Sequence, residues 1–285
     1  MERPFGLPAS AIEKRVERRF AQGFLPRGWI DGLILSNDST DATNDIAISA
    51  GVCRSTSNLI DGVASTLARD QIDMEIPVAI IKQLDTAWAP ENYDPEGFSG
   101  GDRSGGRSPS TLSNTTWHVF VIGGGGLPPD ILLHDAVTAT AVLPTGYTAW
   151  RLIGSVVRTG GSVKPFVQDG DLFMWVTPVL DVSNNTPGTS ANTATLTVPT
   201  GVRVLALMNA MMNVGQLYLS PLDVTDQAAT NGANPISTVD SGTGDGAGQA
   251  QVLTNTSAQI RYRTAQNVLV AIATLGYWHR RGRNS

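Results

Sequence analysis

Four kinds of residue in this chain could carry chemistry: three histidines (His118, His134 and His279), one cysteine (Cys53), 25 acidic side chains, and four successive glycines, Gly123-Gly124-Gly125-Gly126. A zinc site takes three or four Cys, His or carboxylate ligands. The histidines are far apart in sequence and have no cysteine partner, so even if His118 and His134 meet on neighbouring strands no metal site is expected. The stretch Asn37–Asp45 is rich in the carboxylates and amides that Ca²⁺ prefers, but lacks the Gly and terminal Glu of an EF-hand loop, and reads as a solvated turn. Asp240–Gly246 resembles one copy of a Ca²⁺-binding nonapeptide, and one copy carries little. The glycine run follows a strand, as a phosphate loop does. It lacks the Gly-Lys-Ser/Thr ending, and Pro128-Pro129 stops a helix from opening with free amide donors, so a turn is expected. Glycoside hydrolysis needs two carboxylates across a sugar bond, which composition alone never establishes. Ser-His-Asp catalysis is not expected, for want of a nucleophile elbow. Cys53 reads as a small buried hydrophobe. Trp88, Tyr93, Trp117 and Tyr147 flank loops where an aromatic ring could stack on a sugar, though such residues are more often core. The expectation is no catalytic residue, no cofactor and no metal.

Composition points the same way. Apolar residues make up 41% and charged residues 16% of the chain, against about 25% charged in an ordinary soluble chain. Glycine, proline and small polar residues fill the difference, which favours strands and turns over helix. Six Trp and seven Phe can fill a core, which excludes disorder throughout. No window approaches about 18 uninterrupted apolar residues, so membrane insertion by a helix is not expected. The opening Met1-Glu2-Arg3-Pro4-Phe5 lacks the basic-then-apolar order of a secretory signal. The net charge of −5 is uneven: residues 1–27 hold six basic against three acidic side chains, and Arg280, Arg281 and Arg283 close the chain. An acidic body with basic ends is a poor nucleic-acid surface.

One helix is predicted. Ser10-Ala11-Ile12-Glu13 fits a capping box, Gly23 is a plausible stop, and Ile12, Val16 and Phe20 form a stripe flanked by Lys14, Arg15, Arg18 and Arg19. Such a short helix is marginal alone and needs a surface to lie on. From Gly28 onward strands are predicted, with Asp169-Gly170 as a hairpin turn, Asn58–Arg69 as a short helix or loop, Trp88–Thr116 as a long loop, and Asp223–Gly248 as a soft one. The polar stretch Ser183–Thr193 is the expected boundary between two β domains, 28–182 and 183–285, behind a helical segment 1–27. Leu143-Pro144-Thr145-Gly146 and Val198-Pro199-Thr200-Gly201 each lead into a strand, a faint internal echo. The predicted fold is mainly β: two antiparallel β-sandwich, jelly-roll-like domains after a short amphipathic helix.

Tyr147–Ser155 followed by Phe166–Trp175, and Gln259–Arg263 followed by Thr274–Gly282, are phrases that resemble a module of tail-fibre and related virion proteins of tailed bacteriophages. Gly28–Leu33 and Asn44–Gly51 are similar to the way such modules open. The resemblance covers roughly residues 28–285; the insertion Trp88–Thr116 departs from it. It implies a virion structural protein, a homo-oligomer with three copies as the habit of that family, and a tail or tail-fibre component whose N-terminus attaches to the particle. Ile12, Val16 and Phe20, with Arg15 and Arg19, would then be the assembly stripe. Other virion proteins and host-surface glycan are the expected partners, with no nucleic acid. A capsid decoration or head-fibre protein is the alternative, and a glycan depolymerase a more distant one.

Overall fold

The computed structural model describes residues 26, 28–67, 70–91, 103–230, 232–233 and 235–283. The predicted helix, with Ile12, Arg15, Val16, Arg19 and Phe20, lies outside the described residues. The described chain is mainly β, in several sheets, with no α-helix.

The strands in chain order are β1 (Ile30–Gly32), β2 (Leu35–Asn37), β3 (Asp45–Ile48), β4 (Gly51–Arg54), β5 (Ser57–Ile60), β6 (Val63–Ser65), β7 (Asp73–Ile76) and β8 (Ile80–Ala87). They continue as β9 (Arg103–Arg107), β10 (Thr116–Gly124), β11 (Leu127–His134), β12 (Ala149–Thr159), β13 (Ser162–Val163), β14 (Phe166–Asp169) and β15 (Leu172–Asn184). The last are β16 (Asn192–Thr195), β17 (Leu205–Met212), β18 (Gly215–Ser220), β19 (Ser237–Gly242), β20 (Gly246–Leu253), β21 (Gln259–Thr264) and β22 (Val270–Trp278). Four sheets result: β1-β4-β7; β2-β3-β8-β9-β11-β10-β12-β5-β6 with β13 paired to β12; β14-β15-β22-β17-β20; and β16-β21-β18-β19.

The N-terminal sheets are built around β10, which is buried over nearly its whole length. Val119 and Val121 point into the main core while Phe120 and Ile122 join a second cluster with Leu132, Tyr147, Trp150 and Leu152 on the opposite face. A strand covered on both faces reads as a continuous apolar run, as Val119–Ile122 does. The glycine run closes the β10–β11 hairpin; Gly124, Gly125 and Gly126 all have positive φ, a backbone that side chains resist. The phosphate-loop alternative therefore has no helix to serve it.

Three expectations change. Asn58–Arg69 contains a hairpin, β5–β6, turning at Asp61 (φ 51°) and Gly62 (φ 80°); an Asp-Gly pair favours this turn. The stretch 88–116 contains β9, which runs parallel to both β8 and β11. A parallel neighbour requires a crossover of a dozen or more residues, which accounts for much of the length between β8 and β9. The soft loop 223–248 contains β19 and the start of β20, paired to β18 and β17.

The division expected between residues 182 and 183 falls inside β15, which pairs with β22 as far as Asn184↔Val270. One buried cluster runs from Leu33 and Leu35 through Phe173 and Trp175 to Tyr262 and Ile272. At its centre Phe173 stacks on Tyr277, ring centroids 5.1 Å apart, with Phe166 and Trp175 against the same pair. Such aromatic contacts add about 0.5–1.5 kcal/mol each beyond the area they bury.

Candidate functional site

The described residues with the most displaced ionisation lie where the end of β22 enters the N-terminal sheets. The alternation of β22 continues past its last paired residue: Tyr277, His279 and Arg281 turn inward, whereas Trp278 and Arg280 are exposed. The basic tip is therefore half interior. The Arg281 side chain donates to the carbonyls of Ile153 (2.8 Å), Gly32 (3.0 Å) and Leu33. Arg151, fully buried on β12, donates to Arg281 O (2.9 Å), Arg54 O (3.2 Å) and Gly28 O (3.0 Å). Burial lowers both guanidinium pKa values to about 10, which leaves them charged at neutral pH. Carbonyl dipoles satisfy these cations where no carboxylate could follow without further desolvation. Arg283 pairs with Asp171 on the β14–β15 turn.

A proton chain runs beside this junction. The Arg281 amide donates to His279 Nδ1 (2.8 Å), so His279 carries its proton on Nε2 and donates to Ser155 Oγ (2.9 Å). Ser155 then donates to His118 Nδ1 (2.8 Å). Both imidazoles are neutral in this arrangement. Burial pushes the His118 pKa down to about 4, with His134 acting in the same sense, and the His279 pKa down to about 3. A serine between two imidazoles is a constellation for nucleophilic chemistry. Here Ser155 is 0% exposed, and His118 and His279 nearly so, so the hydroxyl is closed off from solvent. Gly97-Phe98-Ser99-Gly100-Gly101 does have the spacing of a nucleophile elbow, contrary to the expectation that none exists, and lies outside the described residues.

His134 stands opposite His118 in the β10–β11 register, its Nδ1 2.9 Å from Ser108 Oγ and 3.0 Å from Asp135. No group of three His, Cys, Asp or Glu among the described residues is placed to hold a metal ion. The Asn37–Asp45 turn is held together internally: Arg103 on β9 pairs with both Asp38 and Asp45, and Asp38 also accepts from the amides of Thr40 and Asp41. Burial raises the Asp45 carboxyl, with Asp41 adding to it. Cys53 is buried, its pKa pushed up to about 12.

A second buried polar cluster centres on Lys82, whose ammonium meets Asp130 (2.8 Å), Glu91 (3.4 Å), Ser104 Oγ (2.6 Å) and Ala89 O (3.1 Å). It ties the start of the crossover to β8, β9 and β11. Both carboxylates are engaged by the lysine. Of the aromatics that could stack on a sugar, Trp117 is fully buried, Tyr147 is nearly so and packs edge-on against Trp88, and Trp88 donates to Ile131 O. Tyr93 is outside the described residues.

Between the junction and β20 lies an open cavity of about 420 Å³, lined on its apolar side by Phe120, Trp150, Leu152 and Leu253. Arg203 and Arg283 also line it, but are engaged by Asp223 and Asp171; Arg280 is exposed. His279 reaches this cavity with both ring nitrogens committed. Sequence reasoning missed Arg151, Ser155, His279 and Arg281 as interior residues. The period of two through Tyr277, His279 and Arg281 was the available signal. No protein-family model matches the chain, and no curated protein matches it.

Proposed function

We propose that this chain is a structural protein of a bacteriophage virion, a tail or tail-fibre component that attaches through residues 1–27 and projects its β body for assembly and host-surface contact. The observation that carries the reading is a strand order. Of the eight strands β15 to β22, the first, eighth, third and sixth share one sheet, and the second, seventh, fourth and fifth share the other. That is the double Greek-key order of a jelly roll, an architecture used in viral capsid and lectin domains. The finer fold belongs to the same proposal: residues 166–279 are one jelly-roll sandwich, and the N-terminal sheets form a second sandwich-like unit welded to it. The phrases similar to phage virion modules fall on β1, β3, β4, β12, β14, β15, β21 and β22. The role requires a stable shape, and turnover of a substrate has no part in it.

The test is deletion of residues 1–27 in the phage genome. The truncated chain keeps Gly28, whose carbonyl Arg151 holds. It is expected to fold and to be missing from purified particles. Incorporation at the normal level would remove the attachment role. Density for the chain on the head shell in an electron-microscopy map would replace the tail assignment with capsid decoration.

A further inference from the structure

Both sides of the sheet β14-β15-β22-β17-β20 carry apolar residues, the outer one together with the uncharged polar Ser183, Asn209, Gln249 and Gln251. The inner side carries the core. On the outer side the register aligns Val167 with Met174, Leu180 with Ala273, Leu205 with Trp278, and Met211 with Ala271. Val167 is 61% exposed, Leu180 60% and Trp278 43%, while Met174, Leu207 and Met211 are half-buried. No residue aligned on this side of β15, β22, β17 or β20 is charged; the sole carboxylate is Asp169, at the β14 edge. A solvated antiparallel face normally alternates polar-outward. Five strands about 4.8 Å apart, with β22 nine residues long, give a face about 24 Å by 30 Å. That footprint is roughly 700 Å², close to the roughly 800 Å² per partner of a standard interface.

We infer that this outer face is the contact surface between copies of this chain. The occupant follows from charge. Symmetric assembly sets a surface against a copy of itself or its neighbour, so a charged residue near the axis meets its own like. A partner of different sequence would be free to use complementary charges, and the aligned residues of β15, β22, β17 and β20 on this side offer it none. A face whose one charge is at its edge, with Trp278 exposed and Met174 and Met211 half-buried, matches the composition of an interface core. The inference deepens the assembly reading above by naming its surface, but it rests on the face itself and stands without the virion assignment.

Sedimentation of the full chain across a wide concentration range tests it, beside the double variant Val167→Asp, Leu180→Asp. Both side chains are exposed, and circular dichroism checks that the variant folds. The wild type is expected to sediment as one assembled species, and the variant to associate roughly a hundredfold more weakly. Val63→Asp, at a site 70% exposed on β6, is expected to leave assembly unchanged. Should the double variant fail to fold, Leu180→Gln alone is measured in its place, with the same direction of effect. A wild type that stays monomeric throughout overturns the inference, whether residues 1–25 or another polypeptide covers the face instead. So does an oligomer indifferent to the aspartates. A monomer that is still incorporated into particles would defeat this inference and leave the virion reading intact; an oligomer that the variant dissociates but that no particle contains would do the reverse.

Discussion

The two outer faces of the C-terminal double layer are finished in opposite ways. On β16-β21-β18-β19 the outward residues include Thr193, Arg261, Arg263, Gln216 and Asp240, and the chain's own loop folds over them. Arg261 donates to Val224 O (2.6 Å) and Leu222 O (3.1 Å), Arg263 pairs with Asp226 at 2.6 Å, and Tyr218 donates to Thr230 O (2.6 Å). That face has a polar surface and a cover. The face of β14-β15-β22-β17-β20 carries Ser183, Asn209, Gln249 and Gln251 but no charge except Asp169 at its edge, and among the described residues no loop is clamped over it as on the other face. The difference teaches where the protein's unused free energy of burial lies. Guanidinium clamps hold a loop within one chain, whereas the exposed Val167, Leu180 and Trp278 stabilise only what comes from outside it.

The largest effect is expected from the interior side of β22, which must stay intact for either outer face to exist. Arg281→Met leaves the carbonyls of Ile153, Gly32 and Leu33 without their donor and is expected to cost about 3–5 kcal/mol in urea unfolding. A loss near zero would mean that the junction contributes little and that the outer faces are independent of it.

Acid sharpens the same point. His118 and His279 have folded pKa values lowered to about 4 and about 3, against about 6.5 in the unfolded chain. Groups with depressed pKa bind protons in the unfolded state first. Their contribution is therefore complete above about pH 6.5 and is lost as the pH falls toward 4 and then 3. Unfolding free energy measured against pH is expected to drop through that window, with a flatter profile in His279→Gln. An unchanged slope in that variant would show that acid acts elsewhere. The smallest effect belongs to the covered face: Asp226→Asn removes a partly exposed pair with Arg263 and is expected to cost at most about 1 kcal/mol.

Much of this architecture can be read from the amino acids. Alternating apolar runs mark most of the strands, and Asp169-Gly170 marks the β14–β15 turn, because a half-buried pleated strand imposes its period on the sequence. β9 could not be read this way. Its Arg-Ser-Gly-Gly-Arg has little strand propensity, and its glycines are required by contact: a Cβ on Gly106 would lie 2.4 Å from a Leu133 methyl and 2.8 Å from Lys82 Cβ. Such crowding depends on which strands become neighbours, which local pattern does not encode. The inward turn of His279 and Arg281 was hidden for another reason. Charged residues are normally solvated; the carbonyls of Gly32, Leu33 and Ile153, supplied from distant strands, make burial of Arg281 tolerable, and Ser155 with the Arg281 amide satisfies His279. The outer apolar face was visible residue by residue in β15, β17 and β22, but two apolar sides of one strand look the same until the register says which is inside.

Neighbouring methionines on β17 give the most direct test of that face. Met212 points into the core at 0% exposure, and Met211 points outward beside Ala271. Dilute peroxide oxidises accessible methionine, and mass spectrometry of the peptides reads each site. At low protein concentration Met211 and Met174 are expected to oxidise while Met208 and Met212 stay intact, and at high concentration Met211 and Met174 are expected to become protected. Oxidation of Met211 and Met174 at a rate independent of protein concentration would contradict the account.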